Sequence, residues 1–435
     1  MTRLKKNQIV KTIDGKEIRV IDALGEGGQG IVYKVHFNNK NYALKWYKKS
    51  TTDDFYENLK KNAKKGVPAD TFLWPLAITE RNPKGCFGYV MELCPSNYKS
   101  LSQFLLNNVR FKNMKAIVNA GTQITASFKL LHNQGYSYQD LNDGNFFIDP
   151  NTGNIRICDN DNIAPNGINL GILGKPRYMA PEVVSSEHLP DTYSDRFSLA
   201  IILFLLFFRG HPLEGKRDNC DKPNNEYNLF CDKSLFVFDP KDDSNRPKPQ
   251  IHKNVLMLWN VFPGFVQKEF IKAFDKNLMR NTGVGRGDRI IEKEWLQMFR
   301  KLRQSIVTCP KCKEQTFFNM KKEMYKCMNC GVNIERPMSL VIGKAIIPLQ
   351  PTQKIYNYEI DDAEEMTIEN LNQVVGEVIE NPKKPGIWGL KNISKTTWYR
   401  KTPGGKEFSY THNSVITIVR NNTIKFGTKG EGFIS

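Results

Sequence analysis

The sequence lacks an apolar stretch long enough to cross a bilayer. Its most apolar segment, Phe197–Phe208, is about half of the roughly 20 residues a span requires, so it reads as a buried helix and no membrane partner is expected. The N-terminal MTRLKKNQIVKTIDG is basic but has no apolar core of a secretory signal, and a cytoplasmic location is expected. Disulfide-like spacing is missing as well: of nine cysteines, four form two Cys-x-x-Cys pairs and the rest are scattered, which argues against a secreted disulfide scaffold. Negative charge is in deficit, with 63 Lys and Arg against 45 Asp and Glu and a formal charge of +18. That balance suits an anionic partner, whether nucleotide, acidic protein, nucleic acid or membrane surface. The lysines fall in scattered pairs (Lys5 and Lys6, Lys48 and Lys49, Lys60 and Lys61, Lys64 and Lys65) without interleaved aromatics. They read as solvated surface, and nucleic acid is not an expected partner. What is present is a globular composition over 435 residues, enough for two to four domains and at least one large core.

The chain is organised around residues 132–159, HNQGYSYQDLNDGNFFIDPNTGNIRICD. Asp140 is followed five residues later by Asn145, and Asp159 closes the apolar run Ile155–Cys158, which reads as a short buried strand. Phosphoryl transfer needs a base for a hydroxyl proton and oxygen ligands that hold Mg²⁺ against phosphates. Asp140 fits the first requirement; Asn145 and Asp159 fit the second. Taken alone, this spacing also occurs in surface loops. Upstream, residues 18–35, IRVIDALGEGGQGIVYKV, read as strand, loop and strand about the turn Gly25-Glu26-Gly27-Gly28-Gln29-Gly30, with Val32 two residues on. Glycines there let a backbone close over phosphates and adopt φ angles barred to larger residues. A β-rich segment follows, not the helix of a dinucleotide-binding fold. In that segment Lys45 stands two residues after Ala43, and further on Ala180-Pro181-Glu182 lies within LGKPRYMAPEVV.

These motifs follow one another in the order and spacing of one family, and residues 18 to about 305 resemble a eukaryotic-like protein kinase domain of the bacterial kind. The resemblance implies a bilobal α+β fold over 1–305, with an N-lobe of about 1–93 and a C-lobe of about 94–305, and ATP with Mg²⁺ as cofactors. It implies that Gly25, Gly27, Gly28, Gly30 and Val32 cover the nucleotide, that Ala43 lies against the adenine, and that Lys45 meets the α- and β-phosphates. Met91 would be the gatekeeper and Glu92 to Cys94 the hinge. A glutamate on the helix after the lysine strand usually anchors the lysine. Glu57 is the only one between Lys45 and Glu80, so it is the candidate, with Asp53 or Asp54 as alternatives. Asp195 would brace the catalytic loop from the first turn of a buried helix.

The sequence also departs from the family. Tyr138-Gln139-Asp140 stands where His-Arg-Asp is usual, so the arginine that receives an activation-loop phosphate is absent, and from Asn160 to Glu182 there is neither serine nor threonine. Control by Ser/Thr phosphorylation of that loop is therefore not expected. Tyr178, its one hydroxyl, reads as a buried structural residue. Asp159-Asn160-Asp161 replaces Asp-Phe-Gly, and Asp161 reads either as facing solvent or as meeting metal through water. Asn142 stands where Ser/Thr kinases carry lysine, while Lys175 replaces the threonine of Gly-Thr-Pro. Lys175 is thus a candidate to restore the charge near the γ-phosphate. A Ser/Thr acceptor is expected over Tyr.

At Thr308 the character changes. Cys309, Cys312, Cys327 and Cys330 follow C-x2-C-x14-C-x2-C, the spacing of a zinc ribbon over 306–335 in which four thiolates fill a structural Zn²⁺. Residues 336–435 read as an all-β sandwich of short runs between turn pairs such as Gly404-Gly405 and Asn421-Asn422. VVGEVIENPKKPGIWGLKNISKTTWYR with IKFG is similar to the second half of a forkhead-associated sandwich, without that family's phosphate-holding residues. The whole resembles kinases found with a PP2C-type phosphatase and a von Willebrand A-domain protein in tellurite-resistance-associated systems, which implies those partners beside a protein substrate. The expected function is Mg²⁺-ATP-dependent protein phosphorylation. Two alternatives are an ATP-binding pseudokinase scaffold, which Gln139, Asn142 and Asn160 would favour, and a basic nucleic-acid binder.

Overall fold

The structure, a computed structural model, describes residues 3–172, 174–218, 225–279, 286–319, 322–361 and 368–435. It divides into two compact units, one of residues 1–110, 127–256 and 270–291, the other of 111–126, 257–269 and 292–435.

The first unit opens with a six-stranded antiparallel sheet formed by β1 (Ile9–Lys11), β2 (Glu17–Glu26), β3 (Gly30–Phe37), β4 (Lys40–Tyr47), β5 (Ala77–Ile78) and β6 (Gly88–Met91), in the order β1-β2-β3-β4-β6-β5. Successive side chains on a strand point to opposite faces. Leu44 and Trp46 of β4 accordingly join Ile18, Val20, Ile31, Val35 and Val90 in one core. Ala43 and Tyr47 join Phe55 and Leu59 in another, and Lys45 shares their parity. Phe55 and Leu59 belong to α1 (Asp53–Lys65), which starts where the Thr52 hydroxyl accepts from Phe55 N at 3.3 Å, carries Asp53 and Asp54 in its first turn and Lys64 and Lys65 in its last, and ends at Gly66 with φ 91°.

Further along lie β7 (Lys99–Ser100), α2 (Leu101–Leu105), α3 (Met114–Asn133, whose residues up to 126 group with the second unit), β8 (Tyr136–Ser137), β9 (Phe146–Ile148), β10 (Ile155–Ile157), β11 (Ala164–Pro165), α4 (Pro181–Val184) and α5 (Thr192–Phe208). The antiparallel β9–β10 hairpin pairs Phe146 with Ile157. The apolar segment 197–208 forms the buried body of α5, as expected, and among the described residues no helix is long and apolar enough to cross a membrane. Glu182, 1% exposed, accepts from Arg289 at 2.7 and 2.8 Å and from Arg286 at 3.0 Å.

In the second unit, cysteine-bearing hairpins Ile306–Thr308/Gln315–Phe317 and Met324–Lys326/Asn333–Glu335 precede two sheets. One has six strands between Ser339 and Ile434, the other four between Lys354 and Thr417, and their buried faces meet around Leu340, Ile355, Leu390, Trp398 and Ile424. Gly405 and Asn421 take positive φ in the expected turns. The expected boundary near 305 differs from the observed division, because the helix Glu292–Gln304 groups with 111–126, 257–269 and the residues C-terminal to it. The reason is its apolar face: Leu296 packs with Ala126, Tyr358 and Leu371, and the Arg303 guanidinium lies 3.8 Å from the Tyr356 ring centre.

The buried Glu182 pair yields a prediction. Burial alone would raise this carboxyl, but Arg289 and then Arg286 outweigh it and hold it below its ordinary 4.5. Stability tied to that charge is complete above pH 4.5 and is lost as pH falls through the lower folded value. Arg289→Met is expected to cost about 3 kcal/mol at pH 7 in urea unfolding, since it removes two charge-assisted hydrogen bonds from a buried carboxylate and leaves it Arg286 alone, and the deficit should shrink as the pH is lowered into the acid range.

Candidate active site

The glycine turn is a hairpin closed by Gly27 N donating to Gly30 O at 2.9 Å, with Gly25 paired to Val32 and Glu26 to Ile31. Its glycines differ in what they require. A Cβ on Gly30 would come within 2.6 Å of Trp46 O, so strand pairing demands glycine there, whereas Cβ atoms on Gly25, Gly27 and Gly28 would meet nothing within 4 Å. None of the four has positive φ, so the expected need for unusual backbone angles is not observed; of the four, Gly30 is the one that a close backbone approach requires, and the other three border open space. Beneath it, Val32, Ala43, Met91 and Cys94 belong to one apolar cluster with Cys158, the kind of surface an adenine ring would lie on. Glu92 points outward, and burial pushes the Cys94 thiol up to about 11.

Lys45, 5% exposed, donates to Asp159 Oδ1 at 3.0 Å and to both Asp161 oxygens at 2.9 Å. Burial alone would lower its pKa; the two carboxylates, Asp161 foremost, hold it above the ordinary lysine value. Glu57 is not its partner. It is paired instead with Lys60 at 2.8 Å, with its side chain 52% exposed. Asp53 accepts from Arg81 at 2.5 Å and Asp54 is exposed, so neither alternative reaches Lys45. The inward face of α1 consists of Phe55, Asn58, Leu59 and Asn62. Asn58 and Asn62 both donate to Ile163 O, at 2.8 and 2.9 Å.

The expectation that Asp161 faces solvent or meets metal through water does not hold, because the residue is fully buried. Besides Lys45, it accepts from the Tyr47 hydroxyl and from the Tyr89 hydroxyl at 3.2 Å. Asn160, also fully buried, donates to Leu73 O at 2.8 Å and Ile157 O at 2.9 Å. Asp159 adopts a left-handed φ of 56°, leaving its side chain 44% exposed.

The hairpin register brings the two proposed metal ligands together. Cys158 N donates to Asn145 O at 2.9 Å, so Asp159 begins one residue from a direct contact with Asn145. Asn142 N donates to Asn145 Oδ1 at 2.7 Å, which fixes the direction of that amide. Asp140 receives weak contacts at 3.4 Å from Asn142 and from Asn162, which ties the catalytic loop to the turn 160–162. Burial raises its carboxyl above the ordinary 3.8, while Lys175 and the Asn142 amide act in the opposite sense. Lys175 Nζ donates to Asn142 Oδ1 at 3.2 Å. Below the loop, Asp195 accepts from Tyr138 N at 2.6 Å and Gln139 N at 3.0 Å, the bracing expected of it. Tyr178 is 4% exposed and donates to Asp143 at 2.7 Å.

Gln139 shows how the loop is held without the usual arginine. Its Nε2 donates to Ile168 O at 2.6 Å and its Oε1 accepts from Asn169 Nδ2 at 3.1 Å. Residue spacing does not reveal these roles of Gln139, Asp161, Asn58 and Asn62. Helical phase could have flagged the two asparagines, which fall on the same face as Phe55 and Leu59.

In the second unit, Cys309, Cys312, Cys327 and Cys330 bring their sulfurs within 4.8 Å of one another, with Cys309–Cys330 and Cys312–Cys327 each at 3.7 Å. A tetrahedron with Zn–S bonds of about 2.3 Å has S–S edges of about 3.8 Å, so this donor set fits zinc. Both knuckles repeat one turn. Lys313 N donates to Cys309 O at 3.0 Å and Gly331 N to Cys327 O at 2.9 Å, with Lys313 at φ 62° and Gly331 at φ 70°.

Comparison with known proteins agrees with the first unit's geometry. Residues 18–280 match the family model described as protein kinase domain. A fission yeast (Schizosaccharomyces pombe) protein named as a probable serine/threonine-protein kinase is 28% identical over 179 residues, 35% of this chain and 22% of its own length. A Dictyostelium discoideum protein of like name is 31% identical over 208 residues, 45% of this chain and 20% of its own. A cGMP-dependent protein kinase of Drosophila melanogaster is 26% identical over 239 residues, 53% of this chain and 24% of its own. The chain therefore spans about a fifth to a quarter of the length of these relatives. With the family model covering more than half of the sequence, the chain belongs to the protein kinase family.

Proposed function

We propose that the chain is an ATP-dependent protein kinase that phosphorylates a protein hydroxyl, Ser/Thr in preference to Tyr. The observation that carries this reading is the convergence of Asp140, Asn142, Asn145, Asn162 and Asp159 through the hydrogen bonds of the loop and the β9–β10 hairpin. Family membership implies ATP and Mg²⁺. The donor set suits a hard cation, being one carboxylate and one carboxamide oxygen, and Asn145 and Asp159 would hold it. When bound, Mg²⁺ would neutralise charge on the phosphate oxygens. Lys45 orients the α- and β-phosphates, and the turn Gly25–Gly30 covers them. Asp140 takes the acceptor's proton as the hydroxyl oxygen bonds to the γ-phosphorus and the bond to the β–γ bridging oxygen breaks, leaving ADP. Lys175 supplies the cation that position 142 lacks. Gln139 keeps the segment at 168–169 in place without a phosphate, so Ser/Thr phosphorylation there has no part in activation.

Asp140→Asn is expected to reduce transfer of radiolabel from ATP by about 100-fold or more, the usual size of a lost general base. Equal labelling by mutant and wild type would overturn the enzymatic reading in favour of a scaffold. Lys175→Ala should lower phosphotransfer, and it should move the acid limb of the kcat/KM profile upward, since Lys175 favours the ionised Asp140. The double change Asn142→Lys/Lys175→Thr restores the arrangement usual in Ser/Thr kinases and should recover activity lost in Lys175→Ala.

The four cysteines would hold a structural Zn²⁺, which would leave no coordination position for a substrate. Elemental analysis should find one zinc per chain, and Cys327→Ser should lose it together with protease resistance of the 306–335 segment. The sandwich serves as a docking module similar to forkhead-associated domains. A PP2C-type phosphatase and a von Willebrand A-domain protein are the proposed partners in the cytoplasm, testable by co-purification with tagged chain.

A further inference from the structure

A buried ammonium keeps its charge only beside a counter-ion. In most active kinases a glutamate of the helix after the lysine strand fills that place, and α1 brings none to Lys45: Glu57 faces solvent beside Lys60, and the inward face carries Asn58 and Asn62. Resting on the kinase reading above, we infer that Asp161 is the positioning residue for Lys45, taking over from within the 159–161 turn the task usually given to that helix.

Three observations carry this. Both Asp161 oxygens lie 2.9 Å from Lys45 Nζ, whereas Asp159 contributes one oxygen at 3.0 Å. Asp161 is fully buried, and the hydroxyls of Tyr47 and Tyr89 donate to it, so its charge is aimed at the lysine and shielded from solvent. Strand geometry supplies those hydroxyls: Tyr47 stands two residues beyond Lys45 on the same strand, and Tyr89 is the cross-strand partner of Lys45. Asp159, by contrast, is 44% exposed and is the carboxylate assigned to metal, so Asp161 remains committed to Lys45 when Asp159 turns to a cation.

The arrangement changes what controls the lysine. Its anchor lies on the same turn as the metal-binding carboxylate, and Asn160 fastens that turn to Leu73 O and Ile157 O. Placement of Lys45 is thereby coupled to the turn and not to a charge on α1, whose two asparagines tether Ile163 O instead.

The test uses the full chain and Asp161→Asn, which preserves shape and removes charge. Calorimetric titration with Mg²⁺-ATP should show binding weakened by about tenfold or more, as one lost charge-assisted contact would give. Glu57→Ala should stay within about twofold of wild type, the scatter of a surface substitution. In steady-state phosphotransfer to casein, kcat/KM for ATP should fall in Asp161→Asn at saturating Mg²⁺. Wild-type affinity in Asp161→Asn would overturn the inference. So would a rise in the Mg²⁺ requirement with metal-free ATP affinity unchanged, since that marks a metal ligand. Should wild type bind ATP without transferring phosphate, the kinase reading fails while the binding arm still judges Asp161. A stability cycle covers the case in which Asp161→Asn does not fold or wild type does not bind ATP. Lys45→Met leaves Asp161 buried without its cation and should melt below wild type, and Lys45→Met/Asp161→Asn should melt above Lys45→Met. Equal melting of those two variants would show that the carboxylate and the lysine are not coupled, and would overturn the inference.

Discussion

The first unit is built around one electrostatic requirement, that the ammonium of Lys45, 5% exposed in the middle of a sheet, must meet negative charge. The carboxylates that meet it lie more than a hundred residues further along the chain, at 159 and 161. Strand β4 and the turn 159–161 are therefore tied by a contact between parts of the chain far apart in sequence. Other bonds extend the tie: Tyr138 OH reaches Cys158 O, Asp195 holds the backbone at 138 and 139, and Asn58 and Asn62 hold Ile163 O. Hydrophobic clusters on the two faces of β4 and the buried body of α5 supply driving force for folding. They do not choose where a carboxylate stands, and the polar contacts do.

Much of this could be read from the residues because the chemistry is carried by types at fixed spacing. Asp140 and Asn145 share one short loop, Asp159 follows a strand that pairs back to it, and the hairpin register then dictates their approach. The cysteines are legible for the same reason, since each knuckle is a local turn. Glu57 fails as an anchor because residue type alone singles it out, while the decisive property is helical phase. Phe55, Asn58, Leu59 and Asn62 recur at the interval of one helix face, and position 57 lies off it. Asp161 departs from expectation because an acid in a loop is usually solvated. Its burial depends on Tyr47 and Tyr89, and the cross-strand neighbour of Lys45 is fixed by sheet register, which residue spacing alone does not reveal.

The compact units divide elsewhere than near 305, for a different physical reason. The helix Glu292–Gln304 is amphipathic, and amphipathicity shows that a face will be buried but not against what. Its apolar residues find Tyr358 and Leu371, from the segment between the sheet strands, and Arg303 stacks on Tyr356. These partners are brought in by tertiary structure well after the helix ends, so no composition change at the helix could have announced them.

Position 139 shows how an uncharged amide can brace a loop from both of its ends. An arginine there offers only donors, and its strongest contact, a bidentate one, needs an anion such as phosphate. Gln139 presents a donor and an acceptor at once, and the loop answers with Ile168 O and Asn169 Nδ2. Each neutral bond contributes about 0.5–1.5 kcal/mol net, less than a charge-assisted one, but neither bond waits on a modification. With no serine or threonine from 160 to 182 and no arginine at 139, both halves of the usual charged contact are missing from the sequence together.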